Sequence, residues 1–480
     1  MAKSIKKNFA LSIIYELLAF AIPLVTAPYL SRVLGPSGVG EYSFYYNISY
    51  YFGMFALLGM NRYGTRSIAT VRDSTENKER LFWELYSSQL LTSSLVVCCY
   101  LIFIAYSGSE LALAWLPYLI SMGLDISWLF KGEEDFKVIV IRNSLIKVLS
   151  AVLIFAFVKT SSDVILYEMI TSLSTLGSQV VLWPYLRRYV IRRVRPTLSS
   201  VLRHIKPRLI LMIPLAATSI YRVIDKVLIG WLAGSAQLGF FDCADKIIMV
   251  PLGVISALGS VMLPRMSYLL TNGKREEGKR LIRISMMFSM CIAMALSFGI
   301  ASVGELFSVV YFGAGYEETG VLLSLLCATV PMIACASVVR EQYLIPNRMD
   351  REYVISVVVG AVFNFVLNIF VIPIYGAQGA AIVTIATEAL VCLMLCVSVR
   401  TQIDFKPMVI DSLPFVASGL LMYFVVRFIG GLNVGSDLVL LLLEIGIGAL
   451  VFLLCMVVVG FASPRHHAFF KMVFPSLRKR

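Results

Sequence analysis

Apolar runs long enough to cross a bilayer recur along the whole chain, and only short polar stretches separate them. An α-helix rises about 1.5 Å per residue, so about 20 consecutive apolar residues cross the hydrocarbon layer. The pattern predicts about fourteen spanning helices, near residues 8–31, 40–62, 82–106, 111–130, 138–158, 164–186, 209–232, 238–263, 284–303, 319–339, 353–373, 377–399, 408–429 and 438–461. No intervening stretch has room for a soluble domain. The N-terminus is basic and then apolar, as in a signal peptide, but its apolar run is too long and no small-residue cleavage site follows, so it reads as the first span. The expected fold is an all-α polytopic membrane protein.

Composition agrees: of 480 residues, 59% are hydrophobic and 15% charged, with a mean hydropathy of +0.82. Charge placement adds more. Lys and Arg outnumber Asp and Glu by 42 to 29, a balance that in a soluble protein would suggest nucleic acid. Here 35 of the 42 fall on alternate polar segments: Lys3 to Lys7, Arg62 to Arg80, Lys131 to Arg142, Arg187 to Arg208, Arg265 to Arg283, Arg340 to Arg351, Arg400 with Lys406, and Arg465 to Arg480. Basic loops mark the cytoplasmic side of a membrane protein. Both termini are then cytoplasmic, the helix count is even, the basic loops contact anionic membrane lipids, and no nucleic-acid partner is implied.

The residues that break the apolar pattern are the candidate chemistry. Arg222, Asp225 and Lys226 lie at i, i+3 and i+4 within one span, and Asp242, Asp245 and Lys246 repeat that spacing in the next, beyond the short turn Ala233 to Gly239. A helix carries each trio on one stripe. An ionisable side chain at the bilayer centre costs roughly 2.5–3.5 kcal/mol on insertion scales, so these stripes should face water or one another. Two readings stand: a polar cavity that binds an anionic headgroup, or an ion-pair network of zero net charge that pins two helices. Arg32, Arg142, Lys147 and Arg340 are further candidate cavity cations. Glu16, Glu168 and Glu388, with Glu444, are candidate carboxylates for a coupling Na+ or H+; the membrane potential is the other candidate driving force.

Nine cysteines, all in apolar segments, give no disulfide framework and read as small core residues. Cys392 and Cys396 share a helix face without a His or carboxylate to complete a metal site. His204, His466 and His467 fall in predicted cytoplasmic segments. No nucleophile constellation, P-loop or dinucleotide fingerprint is present, so the sequence implies neither an enzyme nor an organic cofactor.

The chain also repeats weakly. At a constant offset of 199, Gly35 maps on Gly234, Gly40 on Gly239 and Arg66 on Arg265. Two six-helix lobes that start on the same side would be related by an axis along the membrane normal, with a site between them. The expected organisation is an N-lobe with its basic linker over 1–207, a C-lobe over 208–405, and two additional helices with a basic tail over 406–480. The N-lobe positions equivalent to the charged trios are Pro23, Thr26 and Ala27, then Ser43, Tyr46 and Asn47, so the charge is confined to one half. The N-lobe instead offers an aromatic run, Tyr42, Phe44, Tyr45, Tyr46, Tyr50, Tyr51 and Phe52, suited to stacking on sugars or to packing.

The stretch Pro28-Tyr29-Leu30-Ser31-Arg32-Val33-Leu34-Gly35-Pro36-Ser37-Gly38-Val39-Gly40-Glu41-Tyr42, followed by Tyr63-Gly64-Thr65-Arg66, resembles the opening of Wzx-type polysaccharide flippases. Asp125 to Lys137 resembles their next motif, with Lys131 where Gln is expected. Ile224-Asp225-Lys226, Gln342 to Pro346 and Asn364 to Ala381 extend the likeness in order over roughly the first 400 residues. The resemblance implies the multidrug/oligosaccharidyl-lipid/polysaccharide exporter fold, with two lobes in a V and two extra C-terminal helices. It implies a bacterial plasma-membrane transporter that flips an undecaprenyl-pyrophosphate-linked oligosaccharide by alternating access, working beside polysaccharide polymerase machinery. A cation-coupled multidrug exporter of the same fold is the alternative, and the basic candidates lean against it.

Overall fold

The computed structural model describes the backbone of residues 2–431, 435–462 and 465–466, with side chains from residue 21 onward except 214, 215, 217, 218, 220–222, 260 and 462. The described elements are all helical, and nine helices among the described residues are long and apolar enough to cross a membrane. The chain forms two compact units, Met1–Gly239 and Phe240–Arg480.

In the first unit, α1 (Ala2–Leu57) takes in the first two expected spans and breaks at Gly35, where φ is 69°. A residue without Cβ adopts this conformation cheaply, and Pro36 follows with no N–H to bond. The sequence pattern runs the second span to residue 62 and leaves 63–81 between spans, but a separate helix, α2 (Met60–Thr70), forms there, burying Met60, Gly64 and Ile68 on one stripe at fourfold spacing. α3 (Thr75–Ser107) starts under its Ser74 cap. The fourth expected span is divided into α4 (Glu110–Ala114), α5 (Leu116–Leu124) and α6 (Ser127–Gly132). Pro117 opens α5, where a missing N–H costs nothing. Asp125 is extended and its carboxylate accepts from the Ser127 N–H at 2.8 Å. Gln89 Nε2 then donates to the carbonyls of Met122 and Asp125, at 2.7 and 2.8 Å, satisfying oxygens that the break leaves open. α7 (Phe136–Phe157), α8 (Val164–Val180), α9 (Trp183–Leu186) and α10 (Leu198–Leu202) lead to α11 (Ile205–Leu232), which packs on α1 and α2.

α12 (Ser235–Thr271) starts in the last residues of the first unit and opens the second. α13 (Arg275–Phe312), α14 (Glu317–Leu326) and α15 (Thr329–Val339) follow, then a π-helical turn at Arg340–Leu344. α16 (Asp350–Ser398) holds the eleventh and twelfth expected spans and breaks at Gly376, φ 56°. α17 (Lys406–Gly430) and α18 (Asp437–Ala462) complete the unit and pack with α13 around Met287, Phe415, Met422, Val426, Phe452 and Met456. Large apolar side chains point outward, Phe370, Ile374, Leu393, Phe424 and Val458 among them, each more than 60% exposed. Outward apolar faces over hydrogen-bonded helices are what a bilayer solvates.

The repeat has a structural counterpart. Gly35 and Gly234 both take positive φ, 69° and 92°. Gly40 and Gly239 lie at a backbone-to-backbone contact within the first unit: a Cβ built on Gly40 would stand 1.7 Å from the Ser235 carbonyl oxygen, and one on Gly239 2.0 Å from that of Pro36.

Candidate functional site

The first unit carries the first charged trio on α11. The Arg222 side chain lies outside the described residues; Asp225 is 5% exposed and Lys226 half-buried. α11 rests on the aromatic run of α1. The Tyr50 hydroxyl is 3.2 Å from Ser219 Oγ, and the Tyr51 hydroxyl donates to the Ser219 carbonyl at 3.4 Å. Further along, Gly230 admits the Phe44 ring so closely that a Cβ would fall 2.4 Å from it. Asp225 lies within electrostatic reach of Tyr51, so the charged helix and the hydroxyl-bearing aromatics share one region.

The other candidates of this unit are placed differently from one another. Arg32 is exposed and donates to the Pro28 carbonyl. Arg142 is buried and ties α7 to α8, donating to Asn143 Oδ1, the Ser178 carbonyl and Gln179 Oε1. Lys147 is half-buried on α7. The Glu16 side chain lies outside the described residues. Glu168 on α8 is fully buried, and among the described residues neither of its oxygens has a well-formed hydrogen bond. Its surroundings are aromatic: the Trp115 indole is its polar neighbour, and Tyr42 and Tyr46 stand 5.5 and 5.2 Å from that ring, centroid to centroid.

In the second unit, Lys246 Nζ is 2.7 Å from Asp242 Oδ2, one turn back on α12; Asp242 is buried and Lys246 is about a third exposed. Asp245 is half-buried beside them. Arg340 pairs with Glu341 at 2.7 Å within the π-helical turn, and its guanidinium lies over the Tyr353 ring at 5.7 Å. The extra residue of a π-turn re-aims the side chains that follow it. Glu388 is half-buried on α16, where Asn368 Nδ2 donates to Asn364 Oδ1 at 3.2 Å, both buried. Glu444 is 4% exposed and borders a cavity of about 480 Å³ lined by Ile247, Gly299, Val303, Phe307, Met422 and Phe452.

Three polar clusters were not singled out from the sequence. Arg208, read there as a topology charge, is fully buried at the start of α11 and donates to Ser88 Oγ, Thr92 Oγ1 and the Leu57 carbonyl at 2.7–2.9 Å. Just before it, His204 Nδ1 is 2.9 Å from the Tyr63 hydroxyl and Nε2 3.4 Å from Glu84, which also pairs with Arg203 at 2.5 Å. Burial is the main force lowering the His204 pKa; Glu84 opposes it, and the Arg203 and Arg208 charges add to it. In the second unit, Asp411, 1% exposed, accepts from Arg283 at 2.6 Å, and the His466 ring meets its carbonyl at 2.9 Å; His467 lies outside the described residues. Membrane-boundary position alone signals topology for such residues and carries no sign of burial.

Solved structures share this fold. A lipid II flippase, MurJ, in its inward-closed conformation superposes with a TM-score of 0.74 at 15% identity, covering 98% of this chain and 99% of that one. An inward-facing multidrug-resistance MATE transporter follows at 0.61 and 15%, covering 81% and 94%. A putative O-antigen transporter of Escherichia coli K12 is 25% identical over 83% of this chain and 97% of its own. The capsular polysaccharide biosynthesis protein CapF of Staphylococcus aureus is 22% identical over 82% and 98%. The model of the family described as polysaccharide biosynthesis protein matches residues 5–270, more than half of the sequence, and the chain belongs to that family.

Proposed function

We propose that this protein is a transporter that flips an undecaprenyl-pyrophosphate-linked oligosaccharide from the inner to the outer leaflet for cell-surface polysaccharide synthesis. The observation that carries the reading is the family match together with likeness over 83% of this chain to an O-antigen transporter. The chemistry agrees. A pyrophosphate needs cations and donors where lipid offers none, and Arg222, Lys226 and Lys246 sit on helices that otherwise span the membrane. Tyr50 and Tyr51 bring hydroxyls and ring faces to the same stretch of α11. The apolar cavity between α13, α17 and α18 suits a prenyl chain. Positive-inside counting of the sequence supports cytoplasmic termini in a bacterial inner membrane.

Glu168 is the residue we assign to coupling. Ionised, it would be a buried charge without a compensating cation among the described residues, and loading it with a proton or a small cation removes that cost. A cycle that alternately wets and dries α8 would load and unload it.

Mass spectrometry of lipid-linked oligosaccharides in a strain depleted of the protein, with a leaflet-accessibility probe, tests the function. Build-up on the cytoplasmic face supports it. No build-up, with altered accumulation of cationic dyes instead, turns the reading to a drug exporter. Replacing Arg222 and Lys226 with Ala should lower export at normal protein level, and Glu168→Gln should uncouple export from its ion gradient. Full activity in either variant removes those residues from the mechanism.

A further inference from the structure

The second unit brings three cysteines together from two helices. Cys335 is on α15, and Cys392 and Cys396 stand one turn apart near the end of α16. Their sulfurs all lie within 4.8 Å of one another, and Cys335 Sγ is 3.8 Å from Cys396 Sγ. Three sulfurs bound to one centre at about 2.3 Å each stand about 4 Å apart in a trigonal plane and about 3.5 Å apart around a pyramidal centre such as trivalent arsenic. The side chains are therefore spaced for a shared ion before any ion arrives. They are only half-buried.

Neither a disulfide nor simple packing accounts for the trio. A disulfide requires sulfurs at about 2.05 Å, would leave the third thiol over, and cannot form between Cys392 and Cys396 without disturbing the helix turn that holds them. Cysteine as a small apolar filler fits Cys243 and Cys327, which are buried, but gives no reason for three thiols from two helices to converge.

The ligand set decides the ion. All three donors are sulfur, which selects a soft, thiol-seeking species over hard cations. Charge narrows the choice. Three thiolates around a monovalent ion carry two net negative charges and around a divalent ion one, while a trivalent centre leaves the complex neutral. α15 lies within the apolar stretch Glu317–Leu344 and α16 is Asp350–Ser398, both long and apolar enough to cross a membrane, and a neutral complex is the least costly there. We propose that Cys335, Cys392 and Cys396 form a three-sulfur site for a soft thiophile, trivalent arsenic being the best-matched. Binding from arsenous acid needs no oxidant. Each thiol sulfur forms one As–S bond, one As–O bond breaks, and the departing hydroxide leaves with the thiol proton as water. Three thiols thus release three waters, and arsenic stays trivalent.

The test uses the full-length protein, purified in detergent, reduced, freed of reductant and exposed to arsenite. Elemental and intact-mass analysis after desalting should find one arsenic per chain, with three hydrogens lost. Arsenite should shield Cys335, Cys392 and Cys396 from iodoacetamide, read by peptide mass spectrometry, while Cys98 and Cys99 remain open to it. Each of Cys335→Ser, Cys392→Ser and Cys396→Ser should lose the retained arsenic, and Cys98→Ser should keep it. Shielding is read on the native chain, so a variant that fails to fold leaves the test intact. No retained arsenic, equal retention by the three Ser variants, or unchanged alkylation of the three thiols overturns the site.

Discussion

Among the glycines of the first unit, Gly40 leaves the least room for a Cβ, against the start of α12, and Gly40→Ala tests that contact. Its new Cβ would lie 1.7 Å from the Ser235 carbonyl oxygen, with Gly239 N at 2.9 Å. Ordinary contact begins near 3.4 Å, so the two backbones must separate by about 1.7 Å. Both obstacles are main chain, so no rotamer change relieves the clash. Overpacking of this kind costs about 1–3 kcal/mol, against about 0.5–1 kcal/mol gained when Ala replaces Gly in a helix. The net loss is about 1–2 kcal/mol. For a unit of this size that lowers Tm by roughly 2–8 °C. The assay is thermal unfolding of the detergent-purified protein, paired with Gly446→Ala on α18, where no heavy atom lies within 4 Å of the added Cβ. Gly446→Ala should leave Tm unchanged or slightly raised. If Gly40→Ala behaves the same way, the helices do not meet through these glycines and the packing argument fails.

Other outcomes follow from the buried polar clusters. Arg283→Ala strips a nearly fully buried Asp411 of its main partner, leaving Arg465 at 3.8 Å, and should cost about 3 kcal/mol, the lower end for a broken buried pair, read as loss of folded protein on heating. Arg427→Ala, by contrast, breaks an ion pair with Glu305 in which both side chains are more than 40% exposed, and should shift stability by less than about 1 kcal/mol. His204 supplies a pH dependence. Its folded pKa lies below the ordinary value of 6.5, so the unfolded chain takes up more protons as pH falls; the stability it contributes is full above 6.5 and is lost as pH drops from there to the folded value. Comparing Tm at about pH 7.5 and 5.5 should therefore show a drop that His204→Gln makes smaller; an equal drop in both would assign the effect elsewhere.

The hydrophobic pattern foretold the spanning helices because a bilayer forces every backbone polar group into an intrahelical bond, leaving composition to mark each crossing. It also marked the glycines that end a crossing: the breaks at Gly35 and Gly376 fall between expected spans. It failed at the fourth span, where the pattern runs on through Asp125. The break there depends on Gln89, 36 residues away in sequence, whose amide satisfies the freed carbonyl, and periodicity carries no information about such a partner. Arg208 shows the same limit for charge. Counting Lys and Arg by loop treats it like Arg187 or Arg192, yet Arg192 and Ile191 hold Glu79 through their backbone N–H groups, whereas the Arg208 guanidinium is buried among Ser88, Thr92 and Leu57. The three cysteines make the point most sharply. Cys392 and Cys396 are visibly paired by helical spacing, but Cys335 is 61 residues upstream of Cys396, and only the packing of α15 on α16 makes it their neighbour. Local periodicity tells which face of a helix a residue occupies; which helix that face meets is a property of the fold, and the sites argued for this chain lie at such meetings.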